Sequence, residues 1–197
     1  MNQERLNELL LQSLEVEMGG IRIYETALRC VANDDLRKEW EDYLQDTRTH
    51  EAILRETCEA LDIDPEEETP GRAIARHLAM ALVDAMEQAI ATGKPGAAEL
   101  VACECVTLAE TKDHFDWELI GRCAEKLKGA QGKALKDAYE QVEDEEDEHL
   151  YHTKGWWREL WLQSLGMKVS LPPPEEREHV TTAVAAARAE QASERSR

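Results

Sequence analysis

Apolar residues recur along most of this chain in steps of three and four, the spacing that lines up one face of an α-helix. The first such stretch, from about Asn2 to Ala32, has the line Leu6, Leu10, Leu14, Glu17, Ile21, Tyr24 and Leu28, in which Glu17 is the lone charge. Gly19-Gly20 interrupts it at a helix cost of about 1 kcal/mol per glycine relative to alanine, either to allow a close backbone approach beside Glu17 or merely as tolerated residues. Asn33-Asp34-Asp35 breaks the pattern, with Asp34 or Asp35 placed to cap the next helix. The second stretch, roughly Leu36 to Leu61, reads Leu36, Trp40, Tyr43, Thr47, His50, Leu54 and Leu61, again polar only at its middle levels. If the turn is centred near Asn33, the antiparallel partner of Glu17 is His50 or a neighbour.

Asp62 to Pro70 reads as a linker. A third helix, about Gly71 to Ala91, carries the line Ile74, Leu78, Ala81, Leu82, Ala85 and Ala89, which suits packing or a crossover. Thr92 to Gly96 ends it, and a fourth helix over about Ala97 to Leu127 has two unlike faces. One holds Cys103, Thr107, Glu110, His114, Trp117 and Gly121; the other, Val101, Leu108, Phe115 and Leu119, needs a second contact from the third helix or another subunit. The fifth helix, about Gln131 to Gly166, lines up Ala138, Val142, Glu146, His149, Thr153, Trp156 and Leu160. Folding it back on the fourth about residue 129 brings Glu110 level with Glu146 and His149. Trp156, Trp157 and Trp161 form an aromatic cluster suited to core or subunit packing. Leu171-Pro172-Pro173-Pro174 stops the pattern. The expected organisation is therefore a helical bundle over residues 1–170 and a Pro-rich extension with a disordered tail over 171–197, where His179 is expected to be solvated.

Charge narrows the partners: 42 acidic against 23 basic residues give a formal charge of −19, which argues against nucleic acid and anionic membrane surfaces. No run approaches the roughly 18 apolar residues of a membrane helix, and no apolar signal segment comes after Met1-Asn2-Gln3-Glu4-Arg5, so a cytoplasmic location is expected. The five cysteines are an odd, scattered set, read as reduced packing residues. Cys103 and Cys105 cannot chelate one ion together, because two helical steps separate them by about 200° around the axis.

Two hairpins joined by a crossover bring Glu17, His50, Glu110, Glu146 and His149 to one interior level. Three carboxylates in an apolar bundle repel one another and raise their own pKa values. Bound cations relieve that, and carboxylate with imidazole suits divalent transition metals. The alternative is a buried network of hydrogen bonds and salt bridges among the same residues without metal, which is costly at this density.

Through these residues the chain resembles the ferritin-like superfamily, including rubrerythrin-type and bacterioferritin-type di-iron carboxylate proteins. Their pattern is one glutamate from each of two helices and Glu-x-x-His from each of the other two. Glu17 and Glu110 match the single glutamates, Glu146-x-x-His149 matches one motif in full, and His50 matches the histidine of the other. The resemblance covers roughly residues 5–160. It implies an all-α, ferritin-like four-helix bundle of two antiparallel hairpins with an additional crossover helix, holding two irons, or else manganese or a single ion. The chain departs from the pattern at Thr47, where a glutamate is expected. Glu51, about 40° around the helix and one turn on, is the best substitute, while Asp46 points farther off. His114, one turn after Glu110, is either an added ligand or a donor that orients a glutamate. Tyr24 and Tyr43 are placed to hydrogen-bond carboxylates.

The resemblance further implies oxidation of ferrous iron, or reduction of peroxide, at a centre formed by Glu17, His50, Glu110, Glu146 and His149, with dioxygen or peroxide as partner. No paired cysteine motif supplies a rubredoxin-like iron centre, so reductant would come from an external electron donor. A homodimer or larger homo-oligomer is expected. Oxidation or oxygenation of an organic substrate, and a non-catalytic metal-binding or protein-interaction bundle, stand as the other readings.

Overall fold

The computed structural model describes residues 1–195, all helix and connecting loop. The helices are α1 (Gln3–Cys30), α2 (Asp34–Ala60), α3 (Pro70–Ala91), α4 (Pro95–Ala124), α5 (Gly129–Ser164), α6 (Pro174–Arg177) and α7 (Ala183–Arg195). Their ends obey local chemistry. Asn2 caps α1 by accepting from the Arg5 amide, and Thr69 caps α3 just before Pro70. The cap of α2 is Asn33, not the aspartates expected from sequence: its side chain accepts from the Asp35 and Leu36 amides at 2.9 and 3.1 Å. The two aspartates instead occupy the first helical turn, where negative charge suits the helix dipole.

Helices α1, α2, α4 and α5 pack around a shared interior, and α3 lies against α1 and α4. That interior has two apolar ends. One is built from Leu10, Leu14, Leu54, Trp117, Ile120, Leu135 and Val142, the other from Ile23, Tyr24, Leu36, Trp40, Val106, Trp156 and Leu160. On each helix the two sets are separated by polar residues: Glu17 on α1, Thr47 and His50 on α2, Glu110 and Asp113 on α4, Glu146 and His149 on α5. All of these are buried. Each helix thus contributes to a polar layer across the middle of the bundle.

Against the sequence-based expectation, α3 does not bury the line Ile74, Leu78. Those side chains are 61% and 55% exposed, while Ala75, Ala79 and Met86 are buried. The reason is close approach. A Cβ on Gly19 would fall 2.5 Å from the Ala79 Cβ, so glycine and alanine let α3 lie closer to α1 than large side chains permit. Leu108 and Phe115 on the second face of α4 are likewise exposed, so α3 leaves part of that face uncovered.

The extension after Ser164 folds back onto α5. Arg158 on α5 grips Glu175 with two bonds, Nη1–Oε1 at 2.7 Å and Nη2–Oε2 at 2.9 Å, and Glu175 is buried with Pro173, Pro174 and Val180. Gly155 makes room for this contact, since a Cβ there would lie 2.6 Å from Glu175 Oε2. A polar clasp holds the segment, and apolar periodicity carries no trace of such a clasp. His179 is exposed, as expected. Of the tryptophans, Trp156 is fully buried and Trp161 is exposed. The five cysteines are free. Among the described residues no helix is long and apolar enough to cross a membrane.

Candidate metal centre

Each helix of the bundle aims its middle residues inward because the flanking turns are pinned by the apolar ends. Two groups of ligand atoms result, Glu17 with His50 and Glu146, and Glu110 with Glu146 and His149; within each group the atoms lie within 4.8 Å of one another. Glu146 belongs to both. His50 Nδ1 lies 2.9 Å from Glu146 Oε1 and 3.8 Å from Glu17 Oε1. His149 Nδ1 lies 3.7 Å from both Glu110 Oε2 and Glu146 Oε1, too far for a hydrogen bond. The imidazole rings stack at 5.8 Å between centroids.

The outer edges of these residues are held by the protein. His50 Nε2 donates to Glu145 at 2.8 Å, and His149 Nε2 reaches Asp46 at 3.4 Å. Donation from Nε2 leaves the Nδ1 lone pair of a neutral ring facing the interior, the arrangement that orients a metal-binding histidine. Trp117 Nε1 donates to Glu17 Oε1 at 2.8 Å, and the Tyr24 hydroxyl donates to Glu110 Oε1 at 2.7 Å. Burial and the Glu110 charge push the Tyr24 hydroxyl well above its usual pKa, which keeps it a donor.

The inner edges have no such partners. Glu17 Oε2, Glu110 Oε2, Glu146 Oε2, Asp113 Oδ1 and His149 Nδ1 are buried without a hydrogen bond, and His50 Nδ1, although 2.9 Å from Glu146 Oε1, is not aligned to form one. A buried polar atom left unpaired costs about 1–3 kcal/mol, and more when charged, so six in one layer favour a cation between them. Carboxylate oxygens with imidazole nitrogens are donors that fit a divalent transition ion.

The electrostatics agree. Burial, then the charges of Asp113 and Glu146, raise Glu17 well above the usual carboxylate range, and burial with Glu110 pushes Glu146 from its ordinary 4.5 up to about 8. Asp113 is raised for the same reasons. Burial disfavours a charged His149, yet Asp46, Glu110 and Glu146 outweigh it and hold the ring well above its usual value; burial and the neighbouring His149 lower His50. Raised acids and a raised histidine hold protons in the folded chain that the unfolded chain releases, so they stabilise at low pH and that stability fades as pH rises. The lowered His50 opposes this below its ordinary pKa. The urea midpoint of chelator-treated protein is therefore expected to fall between pH 4.5 and about 8, the window set by Glu146. A midpoint rising across that window would mean that the protein alone compensates these acids.

The other residues singled out by sequence belong to neither ligand group. Glu51, offered as a replacement for the missing carboxylate, is bound to Arg55 Nε at 2.7 Å. Thr47 donates to the Tyr43 carbonyl at 2.8 Å and so turns back on its own helix. His114, one turn after Glu110, joins neither ligand group and pairs with Asp147 at 2.6 Å. There it lines a cavity of about 130 Å³ between α4 and α5, together with Trp117, Glu118, Tyr139, Glu143 and Glu146. Tyr24 reaches a carboxylate of the layer, whereas Tyr43 bonds Glu39 at 2.9 Å and His152 at 3.0 Å while packing on the His149 ring.

Sequence reasoning missed Glu145, Asp113, Glu39 and His152. The signal for His152 was present, since it extends the Glu146, His149 spacing by one further step of three. Glu145 holds His50 from the rim, where no periodicity marks it.

No protein-family model, curated protein or solved structure matches the chain. What fold and site define is a class: an all-helical protein with two buried glutamate and histidine clusters that share Glu146 and are arranged to chelate metal.

Proposed function

We propose that this is a ferritin-like di-iron protein that oxidises ferrous iron, with dioxygen or peroxide as the oxidant. The carrying observation is the set of unpartnered inner atoms on Glu17, His50, Glu110, Glu146 and His149, with the outer atoms of Glu17, His50, Glu110 and His149 held by the protein. The order of contacts supports the two-hairpin arrangement. Glu17 meets His50 and Tyr24 meets Trp40, so numbers rise on α1 as they fall on α2. His114 meets Asp147, and Gly121 lies against Tyr139, which gives the same opposition between α4 and α5. Helix α3, outside α1 and α4, is then the crossover.

Glu17, His50 and Glu146 would hold one iron and Glu110, Glu146 and His149 the other, with Glu146 shared. A pair of irons so held would supply the electrons that reduce the oxidant. The protein's own part is positional. Trp117 and Tyr24 each fix one oxygen of Glu17 and Glu110 and leave the other oxygen free to rebind as charge changes. Asp46 and Glu145 take the Nε2 protons of the histidines, and the apolar ends of the bundle keep bulk water from the layer.

Anaerobic titration with ferrous iron and subsequent addition of oxygen or peroxide tests this reading. Two ions per chain are expected, then oxidant consumption in proportion to the iron added. Tight binding with no consumption of either oxidant would replace it with a structural metal site.

A further inference from the structure

The pattern that this chain resembles asks for a fourth carboxylate on α2, and Thr47 does not provide one. Nor can it be coaxed to: its hydroxyl is bonded to its own helix, and its methyl lies where it would be 3.1 Å from a Cβ on Gly20. The gap in the set is real, and the structure points to what fills it.

Asp113 lies three residues after Glu110 and four before Trp117. Positions so spaced share one helix face, and both neighbours reach into the layer, Glu110 with its unpartnered Oε2 and Trp117 through its bond to Glu17. Asp113 is 5% exposed. Its Oδ1 is buried with no hydrogen-bond partner. Such an atom should be paired or removed, yet here an acid sits among three glutamates. Among the charges that act on Glu17, that of Asp113 is the largest, and Asp113 in turn feels Glu146, Glu110, Asp116 and His50. It therefore borders the two ligand groups without belonging to either in the metal-free chain.

We propose that Asp113 is a metal ligand of this centre, supplying from α4 the carboxylate that Thr47 leaves out on α2. This rests on the di-metal reading above. Its chemistry is consistent with charge balance: Glu17, Glu110, Asp113 and Glu146 give four negative charges with two neutral imidazoles, the complement of two divalent ions. With the three glutamates alone, one positive charge would be left over in a dry interior, where unpaired charge is expensive.

Cobalt(II) titration, read by visible absorption and by elemental analysis after desalting, provides the test. Wild-type protein should take up two ions per chain. Asp113→Asn keeps the shape and removes the charge; it should lose one ion or bind it at least about tenfold more weakly, a change of the size seen when support around a metal is lost. Its metal-free form should melt no lower than wild type, because a buried unpartnered acid has been removed. Asp113→Glu, which keeps a carboxylate, should retain more binding than Asp113→Asn. Two ions bound by Asp113→Asn with unchanged affinity would overturn the role of Asp113 and leave the centre standing. Equal losses in the Asn and Glu variants would do the same by showing a packing effect. No cobalt(II) bound by wild type would overturn both the ligand and the centre.

Discussion

Glu146→Gln is expected to abolish the binding of two ions while leaving the fold intact. Glu146 is the residue common to both ligand groups, so its loss weakens both. Replacement of an outer hydrogen-bond partner of a metal ligand typically costs about 10–100-fold in affinity, and a shared carboxylate should cost more. The effect can be read as stability. Metal at about 100 times its Kd adds about 2.7 kcal/mol to the folded state, and a hundredfold weaker site under the same conditions adds only ~0.4 kcal/mol. The metal-free variant should be at least as stable as metal-free wild type, particularly near and above pH 8, where the buried Glu146 carboxyl would otherwise ionise. The combination of a retained fold and a lost metal response separates a ligand from a packing residue. Glu104→Gln is the control: it lies on the same helix as Glu110 but is exposed, and its metal response should equal wild type. Equal losses in the two variants would refute the inward assignment of Glu146.

The depth at which Glu17, His50, Glu110, Glu146 and His149 meet could be read from the chain because each is polar within an otherwise apolar line. Such residues have few options once buried. What failed to read through were contacts that depend on a neighbouring helix. Glu51 looked available by angle, yet Arg55 stands four residues on, the ordinary spacing for a helical ion pair, and that pair occupies its carboxylate. His114 sits one turn from Glu110 in sequence but finds Asp147 across the α4 and α5 contact. Asp113 was hidden for the opposite reason. It fits the line of Glu110 and Trp117 at a step of three, but His114 fits the same line at a step of four, and in a chain with 42 acidic residues one further aspartate near a stripe looks like surface. The buried face of α3 was misread because large apolar residues draw the eye, whereas close helix packing at Gly19 selected the small ones. Glycine next to a carboxylate on α1 was the available clue, and it pointed to α3.

The same contact between α1 and α3 sets the largest expected stability effect. Arg72 is 2% exposed. It donates from Nε to Glu15 at 2.8 Å and from Nη1 to the Pro65 and Glu67 carbonyls at 2.5 and 3.1 Å, so a single guanidinium ties the loop after α2 to α1. Glu15 also accepts from Arg76 at 2.7 and 2.9 Å. Glu15→Ala leaves Arg72 buried with carbonyls alone, and breaking a buried pair in this way costs about 3–5 kcal/mol. Against a total of about 5–15 kcal/mol for a domain, that is a large share of the stability and should lower the urea midpoint markedly. Arg76 is 39% exposed and can turn to water, so it is not the source of the penalty. Removing both buried partners, Glu15→Leu with Arg72→Met, should recover most of the loss, because apolar side chains of similar volume replace a buried ion pair at little cost or with a gain. A loss below about 1 kcal/mol in Glu15→Ala would place the pair with exposed salt bridges and refute the burial argument. The pH dependence provides an independent check. Burial pushes the Glu15 carboxyl up, but the hydrogen bonds and charges of Arg76 and Arg72 outweigh it and hold the group below its ordinary range. A lowered acid stabilises above its unfolded pKa and loses that contribution as pH falls through the folded value. The gap between wild type and Glu15→Ala should therefore be widest near neutrality and close on acidification, opposite in sign to the pH response of the polar layer two residues away at Glu17.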